Sequence, residues 1–424
     1  MFFLEINEKN LKTSRFLYIL EAGFEYLISI LVAGAYLAKL TESLGMSDQL
    51  TGIMSSIISL GHLFQLGSLL IRPKRVKGLV VTFSVLNQLL FMLLYIIPLG
   101  TGAKPFRSVL FVVAILLAYL LYNLVHPKKM NWFMSLIDDS ERGRFTSVKE
   151  MVSLVMGVGF SFAMGGVVDY FEAKGELKTA FIICGATIAV LMILHTITMV
   201  GSVEKPVKVE SGKRKAFAAM LKDKTILKLA VLFALWYAAM YASTPFLGSY
   251  QNKELGFSMT FISLLSLIYS GVRIAFSFLW GSYADRKSFK TMLTACYAVS
   301  TLSFFVNIFT VPSNGKIFYT AYYAFHAIAM AGINSALTNL VYDYVEVSRR
   351  ADAIAITQTV SGVVGFLTTL AAGVLVDHIQ KSGNTFLGMS VYAQQVTAAI
   401  SFVMNIVVII YLRTQIQNKG EKEC

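Results

Sequence analysis

A chain of 424 residues of which 56% are hydrophobic and 14% charged is too apolar for a soluble globular protein, where about a quarter of the residues carry charge. Its formal net charge of +13 would fit a nucleic-acid binder, but the basic residues gather in short stretches between long apolar runs, the distribution of loops on one side of a membrane. Cys184, Cys296 and Cys424 lie too far apart in the sequence to define a disulfide framework or a metal site.

Met1-Phe-Phe-Leu is too short for the core of a cleavable signal and is followed by polar residues, so the first apolar segment is expected to stay in the mature protein. Apolar segments follow at 15–38, 50–71, 78–99, 108–136, 148–169, 179–201, 226–248, 257–281, 291–311, 317–342, 353–376 and 391–413. Each is long enough to cross a hydrocarbon layer of about 30 Å as a helix. The loops after even-numbered segments carry Arg72, Lys74, Arg75 and Lys77, then Arg142 and Arg144, then Arg286, Lys287 and Lys290, then Arg349 and Arg350. The odd-numbered loops are mixed in sign, as in Asp169, Glu172, Lys174 and Glu176. The positive-inside rule then places both termini in the cytoplasm. Segment 202–225 is polar and basic, with Pro206 and Gly212, and reads as a linker between residues 1–201 and 226–424.

Within the first segment Glu21 and Glu25 are four residues apart and share one helical face, which Tyr18 and Ser29 extend. A charge in the hydrocarbon region costs about 3 kcal/mol and faces a cavity or a partner. Two carboxylates this close in a low dielectric resist double ionisation, which suits one of them to carrying a proton; a buried arginine holding both as a structural pair is the alternative. The fourth segment carries Tyr122, His126, Lys128 and Lys129. One of the two lysines is expected to face inward, or both anchor a helix end. The seventh offers Tyr237, Tyr241 and Thr244 on one face, hydroxylated rings that suit sugars, nucleosides or drug-like rings equally. Arg273 lies mid-way along the eighth, too deep for easy snorkelling; it either counters a glutamate or meets an anionic solute. Tyr322, His326, Met330 and Asn334 form a stripe along the tenth. A histidine there, or at 126, binds a proton near neutral pH or is simply hydrogen-bonded core.

One stretch occurs twice. Residues 131–175 align without a gap on 339–383, matching Asn131, Arg142, Val152, Ser153, Val155, Gly157, Ala163, Gly165, Val168, Asp169 and Gly175 with the same residue types. An internal repeat at about half the chain length is the mark of a transporter built from two related bundles. Gly157 and Gly165, with Gly365 and Gly373, are explained by close helix packing.

The run Gly281-Ser-Tyr-Ala-Asp285-Arg286-Lys287-Ser288-Phe289-Lys290 resembles the G-x-x-x-D-R-x-G-R-K loop signature of the major facilitator superfamily at Gly281, Asp285, Arg286 and Lys290. In the first half Gly67, Arg72, Arg75 and Lys77 fit the same pattern, with Ile71 where the acid belongs, and Asp138-Asp-Ser-Glu-Arg142-Gly143-Arg144 is similar to the family's second cytoplasmic signature. The resemblance implies an all-α membrane protein of twelve transmembrane helices in two pseudo-symmetric six-helix bundles. It also implies a carrier working by alternating access, with the first, fourth, seventh and tenth helices facing a central cavity. Arg72, Arg142, Arg144, Asp285, Arg286 and Arg350 would then act as conformational latches, pairing and unpairing at helix ends. Glu21 and Glu25 would carry proton coupling, and His126, Lys128, Tyr237, Tyr241, Arg273, His326 and Asn334 would bind a small solute. A lipid flippase or scramblase, or a multidrug efflux carrier, is the alternative on the same scaffold. No phosphate-cradling loop is present in the sequence, so neither an enzyme nor an ATP-driven pump is expected. No cofactor, metal or nucleic-acid partner is expected either; the partners are a solute, protons and the bilayer, and the chain is expected to be a monomer.

Overall fold

In the computed structural model, residues 7–67, 75–138, 142–205, 223–346 and 350–416 are described. They are almost wholly helical. In chain order the long helices are α1 (Glu8–Leu31), α2 (Gly34–Ser43), α3 (Asp48–Gly67), α4 (Lys77–Ile96), α5 (Lys104–Met134), α6 (Arg142–Ala173) and α7 (Leu177–Val200). They continue as α8 (Lys224–Tyr241), α9 (Met259–Arg286), α10 (Phe289–Ile308), α11 (Gly315–Tyr344), α12 (Arg350–Lys381) and α13 (Ala393–Gln415). Among the described residues, α4 to α13 supply 10 stretches long and apolar enough to span a membrane, and the bent pair α1–α2 an eleventh. Helix α3, of 20 residues, lies where the second segment, 50–71, is expected, but is not among these stretches.

Where the helices depart from the sequence expectation, the backbone gives the reason. The expected first span, 15–38, is two helices meeting at 41°. Gly34 adopts φ +52°, a left-handed conformation in which a side chain would be strained. The carbonyl of Leu31, freed at the break, accepts the Tyr95 hydroxyl at 2.6 Å. Helix α8 stops at Tyr241, and the chain continues to Glu254 through a 3-10 turn at Thr244–Phe246, with Pro245 in it, and a π turn at Tyr250–Glu254. A two-residue hairpin, Thr385–Phe386 against Met389–Ser390, lies between α12 and α13.

The sequence repeat is a structural repeat. Helices α6 and α12 each run for 32 residues from the aligned Arg142 and Arg350. Each is followed by a glycine in the left-handed region, Gly175 at φ +73° and Gly383 at φ +68°, the helix-ending conformation that glycine adopts without steric cost.

By backbone contacts the chain divides into two compact units. The first comprises Met1–Ser47, Leu63–Glu210 and Phe257–Ser263; the second comprises Asp48–His62, Ser211–Gly256 and Leu264–Cys424. In the first unit the rings of Tyr18, Phe133 and Trp132 stack in series at 4.3 and 4.4 Å, in a cluster with Val80, Val125 and Met199. The Trp132 indole N–H donates to the Val203 carbonyl at 2.8 Å, and the Val203 N–H donates to the Ser14 hydroxyl at 2.9 Å. The buried Lys77 ammonium donates to the carbonyls of Val200 and Ser202, both at 2.7 Å. These bonds occupy carbonyls left over at the end of α7 and pin its end to α1, α4 and α5. In the second unit Trp236 and Tyr297 anchor a larger apolar core drawn from α8, α10, α11, α12 and α13.

Candidate functional site

The first unit holds a buried polar cluster in an otherwise apolar interior. On α1, the i, i+3 and i+4 spacing turns Tyr18 and Glu21 inward, leaving Glu21 at 1% exposure; Glu25, one turn on, is half-buried. Ser29 does not continue the stripe: it is exposed and donates to the Tyr26 carbonyl at 2.7 Å. Helix α5 brings Lys129 onto the two acids just past Pro127, which removes one N–H from the helix ladder there. The Lys129 ammonium donates to Glu21 Oε1 at 2.8 Å and also bonds Glu25 Oε2. Helix α7 adds His195, whose Nε2 faces Glu21 Oε1 at 3.0 Å and Glu25 Oε2 at 3.5 Å. Helix α4 adds Gln88, whose amide nitrogen faces His195 Nδ1 at 2.9 Å. With Gln88 donating there, Nδ1 is the acceptor and Nε2–H the donor to Glu21.

Four helices therefore contribute to the cluster: α5 and α7 meet Glu21 of α1 directly, and α4 reaches it through His195. Counted as two carboxylates, one ammonium and a neutral imidazole, the cluster carries one unit of excess negative charge. Further out, Lys149 of α6 lies 5.0 Å from the centre of the Tyr18 ring, and Tyr122 packs on His126 at 4.9 Å. The His126 Nδ1 is buried without a hydrogen-bond partner among the described residues. Such a cluster can pass a proton between an acid and a base within hydrogen-bond reach, or exchange one cation for another at the paired carboxylates.

The expected pair Glu21–Glu25 is thus present. The cation that holds it is Lys129, whereas Lys128, expected to bind solute, is half-buried and is not the lysine on the acids. His195 and Gln88 complete the site, and neither was singled out from the sequence. The signal was there: an imidazole in the apolar run Leu191–Met199 needs a partner in a membrane, but periodicity within one helix does not say which neighbour supplies it.

The second unit gathers most of the other candidates. His326 stacks on Tyr322 at 5.5 Å and lies 6.2 Å from Tyr269. Close by, the Gln251 amide donates to the hydroxyls of Tyr319 and Tyr323 at 3.1 and 2.8 Å. The His326 Nδ1 and the Tyr322 hydroxyl have no hydrogen-bond partner among the described residues. Half-buried Arg273 acts on His326 electrostatically. Tyr237 and Tyr241 stack at 5.6 Å over Gly365, which leaves room for both rings. Asn334 is exposed, at the other end of the α11 stripe. Of the expected latches, Arg286 is exposed at the end of α9. Arg72 and the side chains of Arg142, Arg144, Asp285 and Arg350 lie outside the described residues.

A family model described as the Major Facilitator Superfamily matches residues 16–369 and 229–423. No curated protein matches the sequence. Among solved structures, a D-xylose-proton symporter superposes with a TM-score of 0.71 at 12% identity, covering 97% of this chain and 99% of that one. A bacterial homologue of the iron transporter ferroportin, inward-facing, gives 0.70 at 11% identity over 96% and 100%. The nucleoside transporter NupG gives 0.68 at 14% over 97% and 100%. At these identities the likeness is one of fold.

Proposed function

The chain belongs to the Major Facilitator Superfamily, and from that premise we propose that it is a secondary transporter that moves a small solute by alternating access and couples the movement to protons at Glu21, Glu25, Lys129 and His195. One observation carries the coupling: two buried acids on α1 share a single lysine and abut an imidazole, an arrangement one unit short of neutrality. Adding a proton makes it neutral; removing the proton lets Lys129 hold both carboxylates. Each step leaves a different set of bonds between α1, α5 and α7, so protonation can favour one conformation over another.

In this reading the solute is bound by the hydroxylated rings, His326 and Arg273 on α8, α9 and α11, together with His126 and Lys128. The halves 1–201 and 226–424 form the two bundles, joined by a cytoplasmic linker at 202–225, with both termini cytoplasmic. Arg72, Arg142, Arg144, Asp285, Arg286 and Arg350 serve as latches at the cytoplasmic ends. A screen of metabolite and drug panels by thermal shift of the purified protein supplies the solute, because a ligand that binds only the folded state raises its stability. Vesicles reconstituted with the protein and loaded with a pH dye then test coupling: adding the solute is expected to change internal pH. A solute that crosses with no pH change contradicts the proposal. Headgroup translocation instead of solute movement would support a flippase.

One observation favours a second reading. Glu21, Glu25 and His195 each present a ligand atom within 4.8 Å of the others, a carboxylate–imidazole set that suits a divalent transition-metal ion as cargo. Lys129 would have to leave the acids for the ion to enter. Metal-dependent protection from thermal unfolding, abolished in Glu21→Gln, would select this reading over proton coupling.

A further inference from the structure

The second unit contains a buried polar stripe that the transport reading does not use. On α10, Tyr297, Ser300, Ser303 and Asn307 follow one another at steps of three and four residues; on α13, Gln394, Thr397, Ser401 and Asn405 do the same. Each spacing puts its four residues on one helical face. All eight residues are at most 1% exposed. The two helices pack against each other in opposite directions. The Gln395 amide donates to the Ile308 carbonyl at 2.7 Å, the rings of Phe305 and Phe402 lie 5.7 Å apart, and Cys296 and Tyr297 share a core cluster with Val408 and Leu412. That register sets Asn307 at the level of Thr397, Ser303 at that of Ser401 and Ser300 at that of Asn405, with Gln394 and Tyr297 toward the two ends.

Some of these groups are satisfied locally. Ser303 donates to the Ser300 carbonyl at 2.7 Å, Thr397 to the Gln394 carbonyl at 3.1 Å, and the Asn405 amide to the Ser401 carbonyl at 2.9 Å. The rest are not. Both side-chain heteroatoms of Asn307, both of Gln394, the hydroxyls of Tyr297, Ser300 and Ser401, and Asn405 Oδ1 have no hydrogen-bond partner among the described residues. A buried polar group left unpaired costs about 1–3 kcal/mol, and in a lipid-embedded helix pair no bulk water reaches it. Eight such atoms on two facing stripes point to a ligand rather than to isolated packing faults.

The donor set names the ligand. It mixes amide N–H groups, carbonyl oxygens and hydroxyls, and contains no ionisable carboxylate, amine or imidazole. A bound cation would use the oxygens alone and leave the amide N–H groups of Asn307 and Gln394 unpaired, and an anion would use the donors alone. Water gives and takes hydrogen bonds alike and typically needs about three partners. We infer that α10 and α13 hold a file of ordered water molecules between Tyr297 and Asn307 on one side and Gln394 and Asn405 on the other. Facing amides could instead bond one another directly, and that arrangement is dry.

Radiolytic hydroxyl footprinting of the full-length protein in lipid nanodiscs distinguishes the two. Bound water generates radicals in place, so Tyr297, fully buried, is expected to be labelled several-fold faster than Phe111, equally buried but in apolar surroundings. The water that supplies the label's oxygen is expected to exchange slowly with isotopic water in the bulk. In Asn307→Leu/Gln394→Leu the excess at Tyr297 is expected to disappear. Labelling of Tyr297 no faster than that of Phe111 in the unmodified protein overturns the inference whether or not the double variant folds. Protection from thermal unfolding by sodium but not by choline that persists in Glu21→Gln/Glu25→Gln and is lost in Asn307→Leu/Gln394→Leu would make the stripe a cation site and overturn it equally.

Discussion

At the scale of single residues, the account rests on Lys129. It is buried between two acids, so removing it leaves both carboxylates in the membrane interior without the ammonium that bonds them. Breaking a buried ion pair from one side costs about 3–5 kcal/mol. Lys129→Met is therefore expected to lower the midpoint of thermal unfolding sharply, and Lys129→Met/Glu25→Gln to recover more than half of the loss. Equal midpoints for Lys129→Met and the unmodified protein would remove Lys129 from the cluster. The sequence made Glu21 and Glu25 legible because four-residue spacing alone puts them on one face. It left Lys128 and Lys129 undecided, because adjacent residues differ by about 100° around a helix and only the packing of α5 on α1 selects one. Gln88 and His195 were illegible for the same reason: their meaning lies between helices, and one helix's periodicity carries no information about its neighbour.

At the scale of elements, the repeat was the most legible feature, since equal spacing of Arg, Gly and Asp across two segments carries over directly into the equal lengths of α6 and α12. The glycines within it do different work, and the structure separates them. A Cβ on Gly165 would meet the Met259 carbonyl oxygen and carbon at 3.0 and 3.1 Å, whereas one on Gly166 would meet nothing within 4 Å. Gly165→Ala is expected to destabilise by about 1–3 kcal/mol through overpacking against backbone, and Gly166→Ala to be neutral or slightly stabilising. Equal melting of the two variants would contradict the packing assigned to Gly165. Nearby, Asp169 accepts from the N–H groups of Met259 and Thr260, both at 2.7 Å, and from the Thr260 hydroxyl, which caps the start of α9. Asp169→Ala is expected to cost about 0.5–2 kcal/mol, read as a lower unfolding midpoint, with Asp169→Asn recovering part of it. The break between α1 and α2 escaped the sequence reading, because hydropathy averages over a bend and Gly34 alone does not announce one.

At the scale of the whole molecule, composition and the count of apolar segments were sufficient for the class, and the loop signature for the family. The solute was not legible, because aromatic rings with hydroxyls suit many ring-bearing compounds and their identity is fixed by the shape of a bound state. The cytoplasmic placement proposed for the linker rests on charge alone and is testable directly. In a Cys424→Ser background, a cysteine introduced in place of Ser211 is expected to react with a membrane-impermeant thiol reagent in inside-out vesicles and not in right-side-out ones, with no labelling of the background protein. The central claim, that the cluster around Glu21 couples solute movement to protons, is tested most directly by uphill accumulation in reconstituted vesicles under an imposed pH gradient, with solute counterflow measured in the same preparation. The account predicts that the unmodified protein concentrates its solute until a protonophore collapses the gradient, while Glu25→Gln retains counterflow and only equilibrates the solute. Accumulation by Glu25→Gln equal to that of the unmodified protein, or accumulation indifferent to the gradient, would contradict it.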